Sequence, residues 1–221
     1  MTTAIILAAG KSERMGGSVD KAFLSLVDKP VVAWSLMAFE KCEVIDRIVL
    51  VVRKDQLVAS KAVVKMFGIS KIDKIVAGGS RRSESVAAGL AACDLDTRTV
   101  VIHDGARPLV TPEMIASVVA VVKKSPAATL GRPVTDTLKL CEKGTSVTRT
   151  VPREKTWAVQ TPQAFQMKEL RAAVKAAKGD VTDECMALEQ AGAAVKIVEC
   201  RTPNVKVTYP EDLQLAAKLL K

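Results

Sequence analysis

Aromatic residues make up 3% of this 221-residue chain, and it has one histidine. So few rings leave little for the base-stacking platforms on which single-strand nucleic-acid binders rely. The five cysteines, Cys42, Cys93, Cys141, Cys185 and Cys200, contain no CxxC pair. With a lone histidine beside them, the ligand spacing of a zinc site is missing. An odd, scattered set of thiols in a chain this long reads as buried or inert cysteines in a reducing cytosol, not as a disulfide framework. The apolar runs are short, Ala4–Ala9, Ile48–Val52 and Val118–Val122 being typical, and none approaches the roughly 20 residues a membrane span needs. The N-terminus starts on a strand-like run without a charged region ahead of a long apolar core, so no signal peptide and no membrane partner are expected. Neither GxxxxGK[ST] nor GxGxxG occurs, which removes the P-loop and the dinucleotide fingerprint that a nicotinamide dehydrogenase would need.

What is present is a globular balance, 48% hydrophobic and 26% charged, in a chain long enough to bury a core without disulfide staples. Thirty-three Lys+Arg against 24 Asp+Glu leave a net charge of +9. That excess favours anionic partners. The basic residues are dispersed, without a polybasic run, which points to a small polyanion such as a nucleotide or sugar phosphate and away from nucleic acid.

Runs rich in β-branched residues alternate with helical patterns. Strands are expected at Thr3–Leu7, Arg47–Val52, Lys74–Val76, Thr99–His103, Ala128–Gly131, Thr156–Gln160 and Val195–Glu199. Helices are expected at about Val31–Cys42, Gln56–Phe67, Arg81–Ala92 and Pro112–Lys123, with a last one opening at Pro210. The helix at Pro112 is the clearest: Thr111 is placed to cap it, Pro112 suits its first position, and Met114, Ile115, Val118, Val119 and Val122 form one apolar stripe. This alternation implies an α/β fold, a mostly parallel sheet with helices on both faces. From about Asp136 to Pro152 the rhythm breaks into short polar strands around Lys143-Gly144. The organisation expected is one domain over residues 1–221 with a hairpin-like arm at about 136–152.

Three groups of residues carry chemistry. In the first, a buried strand from Ile5 ends in Ala8, Ala9 and Gly10, followed by a loop with Lys11 and Arg14 and then Asp20-Lys21. Small residues at a strand's carboxyl end let main-chain N–H groups approach an anion, and Arg14 and Lys21 can neutralise phosphates. An ordinary turn with solvated charges is the plainer reading. In the second, His103-Asp104-Gly105-Ala106-Arg107-Pro108 follows another buried strand. Asp104 can accept from a hydroxyl or help hold a metal, and Arg107 can grip a phosphate. An internal Asp–Arg pair that orders the loop is the alternative, and His103 reads as structural. In the third, Gly78-Gly79-Ser80 precedes a helix and suits a base or ribose pocket, or else a plain helix start capped by Ser80. Thr137, Arg153, Thr161, Thr182 and Lys206 are scattered later in the chain, and each taken singly reads as surface.

Taken together, these residues resemble one family over almost the whole chain. Leu7 to Gly10, Arg14-Met15, Lys21, Gly78-Gly79, His103 to Pro108, Asp136-Thr137, Gln160-Thr161-Pro162-Gln163, Thr182-Asp183-Glu184 and Asn204 to Thr208 look like 2-C-methyl-D-erythritol 4-phosphate cytidylyltransferases of the non-mevalonate isoprenoid pathway. The resemblance implies a Rossmann-like nucleotidyltransferase fold, CTP as donor, a divalent ion (usually Mg²⁺), and a cytoplasmic homodimer joined by exchanged arms. It implies that Ala8, Ala9, Gly10, Gly79 and Ser85 surround the cytidine and that Arg14 and Lys21 contact the triphosphate. Asp104, Gly105, Arg107, Thr161, Thr182 and Lys206 would hold the methylerythritol phosphate, with Thr137 and Arg153 reaching across from the partner's arm. Arg14, Lys21, Arg153 and Lys206 are the catalytic cations in that reading, and no residue is assigned to the metal. The chain departs from the family's pattern at Asp20 and Ala22, which flank Lys21 where Pro and Gln are common, and at Pro152 and Pro203, where acidic residues are common. Two other readings stand beside this one. Ribitol-5-phosphate cytidylyltransferases share most of the motifs, and a basic nucleic-acid-binding module is the alternative of a different class.

Overall fold

The structure, a computed structural model, describes residues 1–10, 12–15, 20–179 and 181–220. In chain order its elements begin with β1 (Thr2–Ala8), a small hairpin of β2 (Ser25–Leu26) and β3 (Lys29–Pro30), α1 (Val31–Lys41), β4 (Arg47–Val52), α2 (Leu57–Met66) and β5 (Ile72–Ala77). Next come α3 (Arg82–Ala92), β6 (Thr99–Asp104), α4 (Pro112–Val122), β7 (Ala127–Pro133), and the hairpin strands β8 (Leu138–Leu140) and β9 (Arg149–Val151). The chain ends with β10 (Trp157–Gln166), α5 (Met167–Ala176), α6 (Glu184–Gln190), β11 (Val195–Glu199) and α7 (Pro210–Leu219).

Seven strands form one sheet in the order β11-β7-β10-β6-β1-β4-β5. All its pairings are parallel except those of β10, which runs antiparallel to both β6 and β7. Side chains alternate across a strand, and β1 shows what this does to an unbroken apolar run. Ala4, Ile6 and Ala8 face a core shared with α1, α2 and α4, while Ile5, Leu7 and Ala9 face one shared with α3, α5 and α6. Central parallel strands must be apolar on both sides because helices cover both faces. The expected α/β architecture is therefore the observed one. Among the described residues no helix is long and apolar enough to cross a membrane.

The cap of α4 is as the sequence implies: the Met114 N–H donates to Thr111 Oγ1 at 3.3 Å, and Pro112 opens the helix. Other local expectations need correction. The strand expected at Thr156–Gln160 continues through Pro162 to Gln166, and its register against β7 shifts between Gln160 and Gln163. The helices α5 and α6 and the hairpin β2–β3 lie outside the expected elements. From Asp136 to Thr150 almost every residue is exposed, with Gly144 at φ +57 turning the chain between β8 and β9, a conformation that glycine adopts without strain.

Candidate active site

Parallel α/β sheets present ligands with the carboxyl ends of their strands, and here those ends open onto a cleft of about 340 Å³. Leu7 to Gly10 leave β1, Gly79 follows β5, and Asp104 ends β6, all lining that cleft. The first turn of α3 adds Arg82 and Ser85, so helix N–H groups and the positive end of the helix dipole face the same space. The start of α3 differs from the sequence reading. Arg81, not Ser80, is the cap residue, because Glu84 reaches back to accept the Ser80 and Arg81 N–H groups at 2.8 and 3.3 Å. The Arg81 guanidinium, followed by these N–H groups, holds the Glu84 carboxyl down at about 2.

The glycine before this turn is required by packing. A Cβ on Gly78 would lie 2.5 Å from Ala9 Cβ and 2.6 Å from Ser85 Oγ, on two walls of the cleft. Gly78→Ala is expected to cost about 1–3 kcal/mol, the usual range for overpacking. Urea unfolding would show this as a lowered midpoint, and an unchanged midpoint would contradict it.

The cleft is rich in cations. Arg14 stacks over the Tyr209 ring with its guanidinium carbon 5.7 Å from the centroid. Lys21 sits on a short 3-10 turn fixed by Asp20, whose Oδ1 accepts the Ala22 N–H at 3.1 Å, while Ser12 Oγ accepts the Lys21 N–H at 3.0 Å. Neither Arg14 nor Lys21 has an ion-pair partner among the described residues. Burial, and then the nearby charge of Lys206, lower the Lys21 ammonium below its ordinary value, with Asp104 opposing. Lys11, read as part of the same loop, lies outside the described residues.

Asp104 is the hub of the opposite wall. Lys206 Nζ stands 2.7 Å from its Oδ2, Arg107 Nε 3.9 Å from the same oxygen, and Arg82 Nε 3.7 Å from Oδ1. Burial alone would raise this carboxyl, but Lys206, Arg82 and Arg107 outweigh it and hold Asp104 well below the usual carboxylate range. It is ionised at any working pH. Thr161 Oγ1 accepts the Asp104 N–H at 3.0 Å, and Arg107 Nη1 donates to the Asn204 carbonyl at 2.7 Å. Thr161 and Arg107 thus stand behind the cleft and order the loop that presents Asp104. Gly105 allows the same loop to pack, because a Cβ there would lie 3.2 Å from the Leu7 carbonyl.

His103 has the structural position expected of it, fully buried with its ring 5.1 Å from that of Phe39. Burial pushes its imidazole down to about 3 from 6.5, so it is neutral in the folded protein and serves no acid–base role. The unfolded chain takes up this proton near pH 6.5 and the folded one does not. Stability is therefore complete above that pH and declines as pH falls towards 3, by up to about 1.4 kcal/mol per unit. His103→Gln lacks this titration. The stability difference between wild type and variant is expected to shrink from pH 7 to pH 4.5 in urea unfolding, and a constant difference would contradict the assignment.

Of the residues singled out in the sequence, Ala8, Ala9, Gly10, Arg14, Lys21, Gly79, Ser85, Asp104 and Lys206 line this one cleft. Gly105, Arg107 and Thr161 support it from behind. Thr182 is exposed just before α6, its hydroxyl 3.6 Å from Met186 Sδ. Thr137 and Arg153 are exposed beside the β8–β9 hairpin, with Arg153 Nη1 donating to the Thr135 carbonyl at 3.1 Å, and neither lines the cleft of its own chain. The sequence reading missed Arg82, whose Nη1 donates to Glu184 Oε1 at 2.7 Å. The two are 102 positions apart, and no local pattern joins them.

Fold and cleft together define an α/β protein whose cleft gathers cations and a pinned carboxylate, the composition that suits a nucleotide-handling enzyme. Comparison with known proteins narrows the class. The profile of 2-C-methyl-D-erythritol 4-phosphate cytidylyltransferase matches residues 2–221, and the chain belongs to this family. Proteins of that name from Alkaliphilus oremlandii and Halalkalibacterium halodurans are 39% and 41% identical, covering 100% and 98% of this chain and 95% of each relative. Among solved structures, the 4-diphosphocytidyl-2C-methyl-D-erythritol synthase of Anaerococcus prevotii superposes with a TM-score of 0.88 at 29% identity, covering 100% of this chain and 96% of that one. The 2-C-methyl-D-erythritol 4-phosphate cytidylyltransferase of Thermus thermophilus gives 0.77 at 31%, covering 99% and 98%.

Proposed function

We propose that this enzyme transfers the cytidylyl group of CTP to 2-C-methyl-D-erythritol 4-phosphate, releasing pyrophosphate and forming 4-diphosphocytidyl-2-C-methyl-D-erythritol for non-mevalonate isoprenoid biosynthesis. The observation that carries this reading is that two cations, Arg14 and Lys21, without ion-pair partners among the described residues, share one cleft with the Lys206-pinned Asp104 in a chain of this family.

The chemistry needs no general base. The acceptor is a phosphate monoester, largely dianionic near neutral pH. One of its oxygens bonds to the α-phosphorus of CTP, the bond from that phosphorus to the β-phosphate oxygen breaks, and pyrophosphate leaves with the electron pair. Repulsion between two polyanions and growing charge on the transferring phosphorus oppose this step, and fixed cations and in-line positioning lower both barriers. Ala8, Ala9, Gly10, Gly79 and Ser85 surround the cytidine in this reading. Arg14 and Lys21 face the triphosphate, and Asp104 and Lys206 receive the acceptor.

A divalent ion, usually Mg²⁺ in this chemistry, fits the residues present. Among the described residues no group of three or more His, Cys, Asp or Glu is placed to hold a metal, whereas Mg²⁺ commonly takes one or two carboxylates and completes its shell with substrate phosphates and water. Asp20, whose Oδ2 is buried beside Lys21 without a hydrogen-bond partner among the described residues, would hold it. The ion would supply further charge neutralisation on the triphosphate.

A homodimer is part of the proposal. An isolated two-stranded hairpin is marginal in water, and β8–β9 carries exposed Leu138 and Val147. A second copy would cover it and bring Thr137 and Arg153 to the partner's cleft. The cysteines, each among the described residues, are all unpaired and four are buried, which suits a reducing cytoplasm. Phosphorus NMR of CTP, Mg²⁺ and methylerythritol phosphate incubated with the protein tests the reaction. A new diphosphate diester together with pyrophosphate is expected. Release of CMP without the diester would overturn the reading.

A further inference from the structure

The mechanism above leaves one buried charge unused. Glu184 is the first residue of α6, with its side chain 6% exposed. Asp183 caps the helix, accepting the Met186 N–H at 3.0 Å, and so fixes where Glu184 points. Glu184 Oε1 holds Arg82 Nη1 at 2.7 Å, while Oε2 is buried without a hydrogen-bond partner among the described residues. Burying a carboxylate with one orphan oxygen is costly, so the pair is not explained by stability alone.

The arrangement at Asp104 shows what the pair does. Its Oδ2 is ion-paired with Lys206 at 2.7 Å, whereas Arg82 Nε stops 3.7 Å short of Oδ1. A guanidinium with no other anion in reach closes on a carboxylate through two parallel hydrogen bonds. Glu184 holds this guanidinium by its other end.

We propose that Glu184 is a positioning residue for the acceptor: by anchoring Arg82 it keeps Oδ1 of Asp104 open to a hydroxyl of the polyol phosphate. The inference rests on Asp104 as the group that receives the acceptor. Glutamine at 184 keeps the shape and loses the charge; the neighbouring Asp183 is held by Gln163 Nε2 and the Met186 N–H, so Arg82 closes onto Asp104. The acceptor loses its hydrogen bond, and the nucleotide side of the cleft is untouched.

Steady-state kinetics of the full-length enzyme test this. Glu184→Gln is expected to raise KM for methylerythritol phosphate about tenfold or more, the scale of one lost hydrogen bond to a charged group, with KM for CTP unchanged. Arg82→Gln removes the guanidinium that closes, and in that background Glu184→Gln is expected to add nothing to the acceptor KM, a non-additivity that two independent structural losses would not give. The double variant removes the buried pair together and is expected to fold. Its acceptor KM is read against that of Arg82→Gln, equal values supporting the proposal and a further tenfold rise overturning it. An unchanged acceptor KM in Glu184→Gln or a parallel rise for CTP would also overturn it. A wild-type enzyme that does not use methylerythritol phosphate would instead overturn the functional reading, and the inference with it.

Discussion

Lys21→Ala is expected to lower kcat by about 10²-fold or more, the loss typical of removing one preorganised electrostatic stabiliser, and Arg14→Ala is expected to do the same. The Lys21 side chain lies in a half-buried position, on a turn held by Asp20 from one side and Ser12 from the other. Its charge is not offset by an ion pair among the described residues, so it is available to a triphosphate. Because burial lowers the ammonium from 10.5, turnover is also expected to decline with rising pH before a free lysine would deprotonate. Saturating both substrates isolates kcat from binding. Near-wild-type turnover in both alanine variants would remove these cations from the chemistry.

Asp104→Asn is expected to damage activity and stability together. The carboxylate separates the positive charges of Lys206, Arg82 and Arg107, and without it they face one another at the end of β6. Removing one partner of a buried pair typically costs 3–5 kcal/mol. Lys206 is 37% exposed, which screens its share, so a loss of about 2–3 kcal/mol is expected. The sign of its pH dependence is fixed by the depressed carboxyl. The stabilisation is complete above the unfolded value of 3.8 and fades only as pH falls through the still lower folded value. Wild type should therefore keep its full advantage over the variant in urea at pH 7 and at pH 5. An advantage that disappears by pH 5 would mean that Asp104 is not held ionised by these cations. Turnover is expected to fall by about 10²-fold as well, since Asp104 orders Lys206 and receives the acceptor.

Much of this arrangement was readable in the sequence, because its signals are local. β1 announces itself as an apolar run without polar alternation, and α4 through Thr111, Pro112 and a stripe of Met114, Ile115, Val118, Val119 and Val122. The Ala8-Ala9-Gly10 and His103 to Pro108 stretches read as loops at strand ends, where the cleft lies. What failed was non-local or broke a local rule. Pro162 reads as the end of a strand, yet β10 continues through it by shifting register. Met167, Leu170 and Ala173 of α5 form a buried helical stripe among enough charged neighbours to hide it. Ser80 is a better cap by residue type than Arg81, but Glu84 captures both N–H groups and moves the helix start. The bonds of Arg107 to the Asn204 carbonyl and of Thr161 to the Asp104 N–H are likewise non-local and carry no sequence signal. The Arg82–Glu184 pair joins distant segments, α3 and α6, and only the fold brings it together.

The measurement that bears most directly on the central claim is pyrophosphate release from CTP and Mg²⁺ with methylerythritol phosphate, with ribitol 5-phosphate, and with no acceptor. Release with methylerythritol phosphate alone is the expected result. Release with ribitol 5-phosphate instead would keep the cleft and its cations but contradict the acceptor, and no release with either would contradict the assignment of this cleft as a cytidylyltransferase site.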